Sequence, residues 1–138
     1  MNVKILLEGK IKEPYFKLGI DEFKKRLFNS VEVIETTDIA GYIEGREQAY
    51  VIAMEIEGKM LSSTEFAAKL REIEQDGYYN EIIFLIGGSD GLTPEVSARA
   101  HFKFSMSKLT FLHQEAVLIL IEQIYRAHKI LSGEPYHK

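Results

Sequence analysis

A chain of 138 residues, 46% hydrophobic and 28% charged, can bury about two thirds of its unfolded surface, and one domain over residues 1–138 is expected. It contains no cysteine, which excludes disulfides, thiolate catalysis and cysteine-ligated metals, and its four histidines lack close ligand spacing, so no metal site is expected. The longest apolar run, Ala116 to Ile121, is too short to cross a bilayer, and the amino terminus has no signal-peptide pattern, so a cytoplasmic protein with no membrane partner is expected. Net charge is −4, against an overall electrostatic footprint for nucleic acid, but its distribution is uneven. Residues 1–26 carry seven basic side chains against four acidic ones, whereas 31–57 carry seven acidic side chains against Arg46 alone. Such a basic amino-terminal face suits a phosphate backbone, and equally a solvated helix.

Strand character opens the chain at Val3–Glu8 and ends at Gly9. Pro14 can start a helix that places Phe16, Ile20, Phe23 and Leu27 on one face. Val31–Thr36 alternates as a strand does, and the polar stretch 37–48 has room for one short helical turn. Tyr50–Ile56 reads as a third strand closed by Gly58. Ser62 and Glu65 form a capping box for a helix reaching about Gln75.

The segment Glu81 to Gly91 is the clearest sign of a small-molecule site. Ile82–Leu85 suits a strand buried on both faces, and Gly87, Gly88 and Gly91 then let the backbone turn sharply and approach a ligand. Their spacing matches neither the dinucleotide fingerprint nor a P-loop. Thr93-Pro94-Glu95 starts a helix to about His101, Phe102–Met106 is a short strand, and Gln114–Leu131 is the longest helix, stopped by Gly133 and Pro135. Strands alternating with helices predict a parallel α/β sheet. The last helix is apolar nearly all round from Ala116 to Ile121, so it needs cover on both sides, which a homodimer interface or a central place in the core can supply.

Four motifs in order carry a resemblance: Leu-Ile-Gly-Gly-Ser-Asp-Gly-Leu at 85–92, Ser-Met-Ser-Lys-Leu-Thr-Phe-Leu-His-Gln at 105–114, Ile-Glu-Gln-Ile-Tyr-Arg-Ala at 121–127, and Gly-Glu-Pro-Tyr-His-Lys at 133–138. Together with Gly9-Lys10 and Glu55-Ile56-Glu57-Gly58-Lys59, they resemble the RlmH-type 23S ribosomal RNA pseudouridine N3-methyltransferases of the SPOUT class. The resemblance implies a SPOUT-type parallel sheet with helices on both faces, a carboxyl-terminal trefoil knot and a homodimer. It implies S-adenosyl-L-methionine as cofactor, held by Met54, Gly87, Met106, Ser107, Lys108, Leu109, Thr110 and Phe111. Glu122, Tyr125, Arg126, Tyr136 and His137 match positions near the substrate, a ribosomal RNA base within the ribosome.

On this reading Arg126 stabilises the negative charge of a deprotonated base, and Tyr136 or His137 stacks or hydrogen-bonds it. Three departures from the family stand out: a shorter segment at 37–49, Val117 where an arginine is usual, and Leu112 where a proline is usual. Two further readings remain compatible with the residues. One is a diverged enzyme with the same cofactor and another RNA, the other a catalytically silent dimeric module that binds RNA or protein.

Overall fold

The computed structural model describes residues 2–138, and five parallel strands form its centre. Strands β1 (Asn2–Glu8), β2 (Val31–Thr36), β3 (Ala49–Met60), β4 (Glu81–Ile86) and β5 (Phe102–Ser105) lie in the order β2-β1-β4-β3-β5. Helices α1 (Pro14–Arg26), α3 (Ser63–Asp76) and α5 (His113–Ser132) join the larger hydrophobic core on one face, through Phe16, Phe66, Leu70 and Ile121. Helices α2 (Ile39–Ile43) and α4 (Pro94–Ala98) cover the other face through Ile39, Ile43 and Val96. All six residues of β4 are buried, as a central strand between two helical layers requires. Alternation divides it: Ile82, Phe84 and Ile86 face one core, Ile83 and Leu85 the other.

Local chemistry sets the helix ends. The Ser62 hydroxyl accepts from the Glu65 amide while the Glu65 carboxylate accepts from the Ser62 amide, closing the expected capping box of α3. Helix α5 stops at Gly133 in the left-handed region (φ 73°). Helix α1 lacks a side-chain cap of its own. Instead the Gln114 side-chain carbonyl accepts from the Lys12 and Glu13 amides at 2.6 and 2.9 Å, so the start of α1 is fastened to the start of α5.

Two elements differ from the sequence reading. Strand β3 does not end before Gly58 but runs on to Met60, because its ladder with β5 restarts after a bulge: Met54 and Lys59 both pair with Phe104. A Cβ at Gly58 would lie 2.7 Å from the Lys103 carbonyl carbon, so this glycine serves close backbone approach rather than chain termination. Helix α4 stops at Ala98, short of His101. There the His101 backbone donates to the Val51 carbonyl (2.8 Å), its Nδ1 accepts from the Val51 amide (2.9 Å), and its ring stacks on Tyr50.

Helix α5 lies between α1 and α3, over β1 and β4. Val117, Leu120, Ile121 and Ile124 are fully buried within a single chain, each stabilising the fold by about 1.5–3 kcal/mol. The central place in the core therefore accounts for most of this helix's apolar character. A second stripe, Glu115, Ile119, Glu122 and Arg126, points the other way. Beside it, Tyr15 and Leu18 of α1 and Leu112 before α5 are all well exposed.

Candidate active site

The carboxyl ends of β3, β4 and β5 open into a cavity of about 720 Å³. Its floor is the turn after β4, closed by a hydrogen bond from the Gly91 amide to the Gly88 carbonyl at 3.0 Å, with Gly91 at φ 73°. A Cβ on Gly87 would meet the Gly91 backbone and lie 2.6 Å from the Leu92 nitrogen, so no other residue fits without moving the turn. One wall is the β3 bulge with Met54, Glu55, Ile56 and Glu57; the other is the loop from Met106 to Leu112. That loop is held locally. The Ser105 hydroxyl donates to the Ser107 carbonyl (2.9 Å), and the Leu109 amide donates to the Ser107 hydroxyl (3.0 Å).

Seven of the residues expected to hold a cofactor share this lining: Met54, Gly87, Met106, Ser107, Leu109, Thr110 and Phe111. Lys108 does not; it is exposed on the outside of the loop. The cavity also gathers residues to which the sequence reading gave no role. Glu55, Glu57 and Asp90 lie on its rim, and among the described residues no lysine or arginine lines it. Glu55 is set in place by the Ser97 hydroxyl, 2.9 Å from each carboxylate oxygen. The available signal was Glu55 and Glu57 two apart at the end of a strand, the spacing that puts side chains on one face.

A second cluster forms on the distal half of α5 and the tail. Arg126 donates to Glu122 (2.9 Å) and to Nδ1 of His137 (3.1 Å), which leaves the imidazole proton on Nε2. The Tyr136 hydroxyl donates to the same Glu122 oxygen (2.9 Å), the Arg126 guanidinium lies over the Tyr136 ring, and Tyr125 meets that ring edge-on at 4.8 Å. Burial, reinforced by the Glu122 carboxylate, pushes the Tyr136 hydroxyl pKa above its ordinary value. The other Glu122 oxygen accepts from Gln123, so this carboxylate positions its neighbours. The Arg126 Nε is buried with no hydrogen-bond partner among the described residues. All five expected substrate-side residues therefore meet, but not at the cavity. From His113 to Arg126 the helix rises roughly 20 Å.

At the opposite end of the sheet Glu81 accepts from Lys4 (2.6 Å) and Arg46 (3.1 Å). Burial opposes ionisation of Glu81, yet these two cations outweigh it and hold its pKa below the usual carboxylate value.

The parallel sheet with a glycine-floored cavity at its carboxyl edge defines an α/β protein with a small-molecule site at the customary position. Comparison with known proteins then narrows the class. A family model described as Predicted SPOUT methyltransferase matches residues 1–137, and the chain belongs to that family. Relatives named Ribosomal RNA large subunit methyltransferase H, from Clostridioides difficile and Clostridium novyi, are 46% and 44% identical, with both chains covered in full. The fold resembles that of a probable methylase family protein from Haemophilus influenzae, with TM-score 0.63, 13% identity, and 99% of this chain and 70% of that one covered. It also resembles the SpoU methyltransferase AviRb from Streptomyces viridochromogenes, solved with AdoMet, with TM-score 0.56, 10% identity, and 92% and 58% covered.

Proposed function

We propose that this chain is an S-adenosylmethionine-dependent RNA methyltransferase that methylates N3 of a pseudouridine in the 23S ribosomal RNA of the large subunit. The observation that carries the reading is the cavity: its size, its glycine floor and its acidic rim suit a nucleoside bearing positive charge. The names of the full-length relatives support ribosomal RNA as the substrate. When bound, the cofactor supplies an electrophilic methyl group on a sulfonium.

The chain's own residues do the rest. Met54 and Phe111 form apolar walls for the adenosine, while Gly87 and the 106–111 loop bring backbone close to it. The Leu109 amide is already donated to Ser107, so its carbonyl is the group left for an adenine edge. Glu55 and Glu57 offset the cofactor's positive charge. The base gives up its N3 proton to solvent, Arg126 stabilises the anion that results, and Tyr136 and His137 orient the ring. Much of the catalysis is alignment of nucleophile and methyl group.

A rise of roughly 20 Å along α5 separates this cluster from the cavity of its own chain, which supports a homodimer in which the tail of one protomer completes the cavity of its partner. Tyr15, Leu18, Leu112 and Ile119 offer the apolar seam, and Ile119 precedes Glu122 and Arg126 on the same stripe. A trefoil knot belongs to the same proposal: β5 is the sheet edge beyond β3, while the chain returns to lay α5 over β1 and β4. Alignments to the relatives span 160 positions whereas this chain has 138 residues, so 22 positions lack a counterpart here. The 37–49 segment, reduced to the five-residue α2, is the place we assign to that shortening.

The deciding experiment is mass mapping of methylated nucleotides in ribosomal RNA from a strain lacking its own enzyme, with and without this chain. Appearance of N3-methylpseudouridine supports the proposal. A methylated nucleotide elsewhere assigns another RNA target, and the absence of methylation together with no calorimetric binding of S-adenosylmethionine overturns it.

A further inference from the structure

The turn that ends α1 combines three observations that the methyl-transfer site does not use. Phe28 is 92% exposed, the most exposed large apolar side chain among the described residues. It and Asn29 both adopt left-handed backbone angles, φ 54° and 57°, which a side chain such as phenylalanine rarely takes up. The turn is nonetheless firmly held: the Phe28 amide donates to Lys25, the Asn29 amide to Lys24, and the Ser30 amide and hydroxyl to Leu27. Leu27 is buried as an anchor while the next residue is thrown into solvent. A rigid, strained turn that displays an aromatic ring to water costs stability, and such strain is concentrated at functional positions.

The ring has basic neighbours. Lys24, Lys25 and Arg26 form the last turn of α1; Arg26 is paired with Glu22, while Lys24 and Lys25 make no ion pair among the described residues. Basic groups at a helix carboxyl end also favour the helix dipole, so they alone indicate nothing. Their position is what matters. The Arg26 guanidinium lies over the Phe23 and Tyr125 rings, at 5.2 and 5.7 Å, and Tyr125 meets Tyr136 edge-on. The turn thus continues the surface of the cluster assigned to the RNA base.

We propose that the α1–β2 turn is an RNA-docking element, with Phe28 stacking an unpaired base next to the methylated nucleotide and Lys24 and Lys25 meeting adjacent phosphates. The inference rests on the RNA-methyltransferase reading and adds a contact outside its chemical site. A free aromatic ring flanked by cations is the standard arrangement for a single-stranded base, and a duplex would offer the ring no π-face. No covalent step is involved.

The test measures binding of a fluorescent RNA stem-loop containing the target base, against a fully paired duplex of matched length, by anisotropy at several salt concentrations. The dimeric wild type is compared with Phe28→Gly, Phe28→Trp and Lys24→Gln/Lys25→Gln. Glycine relieves the backbone strain, so Phe28→Gly should raise the melting temperature while weakening stem-loop binding by about tenfold. Phe28→Trp should retain binding, and the lysine pair should flatten the salt dependence by about one unit of logarithmic slope. S-Adenosylmethionine affinity and sedimentation should stay at wild-type values in every variant.

Unchanged stem-loop affinity or kcat/KM in Phe28→Gly, with an active wild type, overturns this inference and leaves the methyltransferase reading intact. Dissociation of the Phe28→Gly dimer would assign the ring to the protomer interface and overturn it as well. A wild type that binds neither S-adenosylmethionine nor RNA overturns both.

Discussion

The cavity at the sheet edge and the cluster at the end of α5 are built on opposite principles. The cavity is shaped by backbone: a glycine turn with no space for a Cβ, a bulged strand, and a loop tied by its own serines. Its lining comes from three strand ends and two loops of one chain. The cluster is shaped by long side chains, Glu122, Arg126, Tyr136 and His137, that hold one another over a helix surface and leave the Arg126 Nε without a partner. Under the proposed function, a base held in a second protomer's cavity engages it. Backbone sites tolerate little substitution but can assemble alone, whereas side-chain clusters can be presented to a neighbour.

The sharpest way to break that comparison is complementation. Gly87→Val and Arg126→Ala should each be inactive as pure homodimers, the first because its Cβ strikes the Gly91–Leu92 backbone. Mixed and refolded together, they should recover about a quarter of wild-type methyl transfer, since half the dimers are mixed and each has one intact composite site. No recovery, with both variants folded by circular dichroism, would mean that each chain completes its own site.

Arg126→Ala alone should lower methyl transfer by about 10²–10³-fold with S-adenosylmethionine affinity within about twofold by calorimetry, a loss confined to the transition state. Parallel loss of cofactor affinity would place Arg126 in the cavity's chemistry instead. Ile119→Asp should shift sedimentation from dimer to monomer and abolish activity while the monomer stays folded. Ile121→Asp is expected to unfold the chain, because Ile121 is wholly buried and a charge there has no partner.

A smaller effect separates both regions from the far end of the sheet. Glu81→Gln removes the carboxylate shared by Lys4 and Arg46 and should cost about 2 kcal/mol at pH 7, less than a fully buried pair because Arg46 is partly exposed. Because the folded-state pKa of Glu81 is depressed, that stability is present above its unfolded value and lost as pH falls through the folded one. Urea midpoints of wild type and variant should therefore differ at pH 7 and converge in the acid range below 4.5, with cofactor affinity at pH 7 unchanged. A difference that persists at low pH would assign the effect to packing.

Periodicity and turn chemistry made most of the elements legible: the capping box at Ser62, the glycine stop at Gly133 and the buried β4 all follow from neighbours within a few residues. Gly58 misled for the same reason. A local rule reads it as an end, but its role is to admit the Lys103 backbone, 45 residues away in sequence. The 106–111 loop could be associated with the glycine turn through family motifs. The acidic rim was signalled only by Glu55 and Glu57 two apart at a strand end, and that they reach the cavity depends on residues 55–58 bulging out of the ladder with β5.

Residue types at short spacing or in fixed order were enough for the alternation of strand and helix, the turn after β4 and the family. That α5 is first a core helix of its own chain emerges from packing alone. Packing likewise gathers the five side chains matched to the RNA base a helix-length from the cavity and leaves Phe28 exposed on the turn after α1. The physical reason is that burial and separation are properties of packed elements, fixed by contacts between residues distant in the chain, which no local pattern encodes.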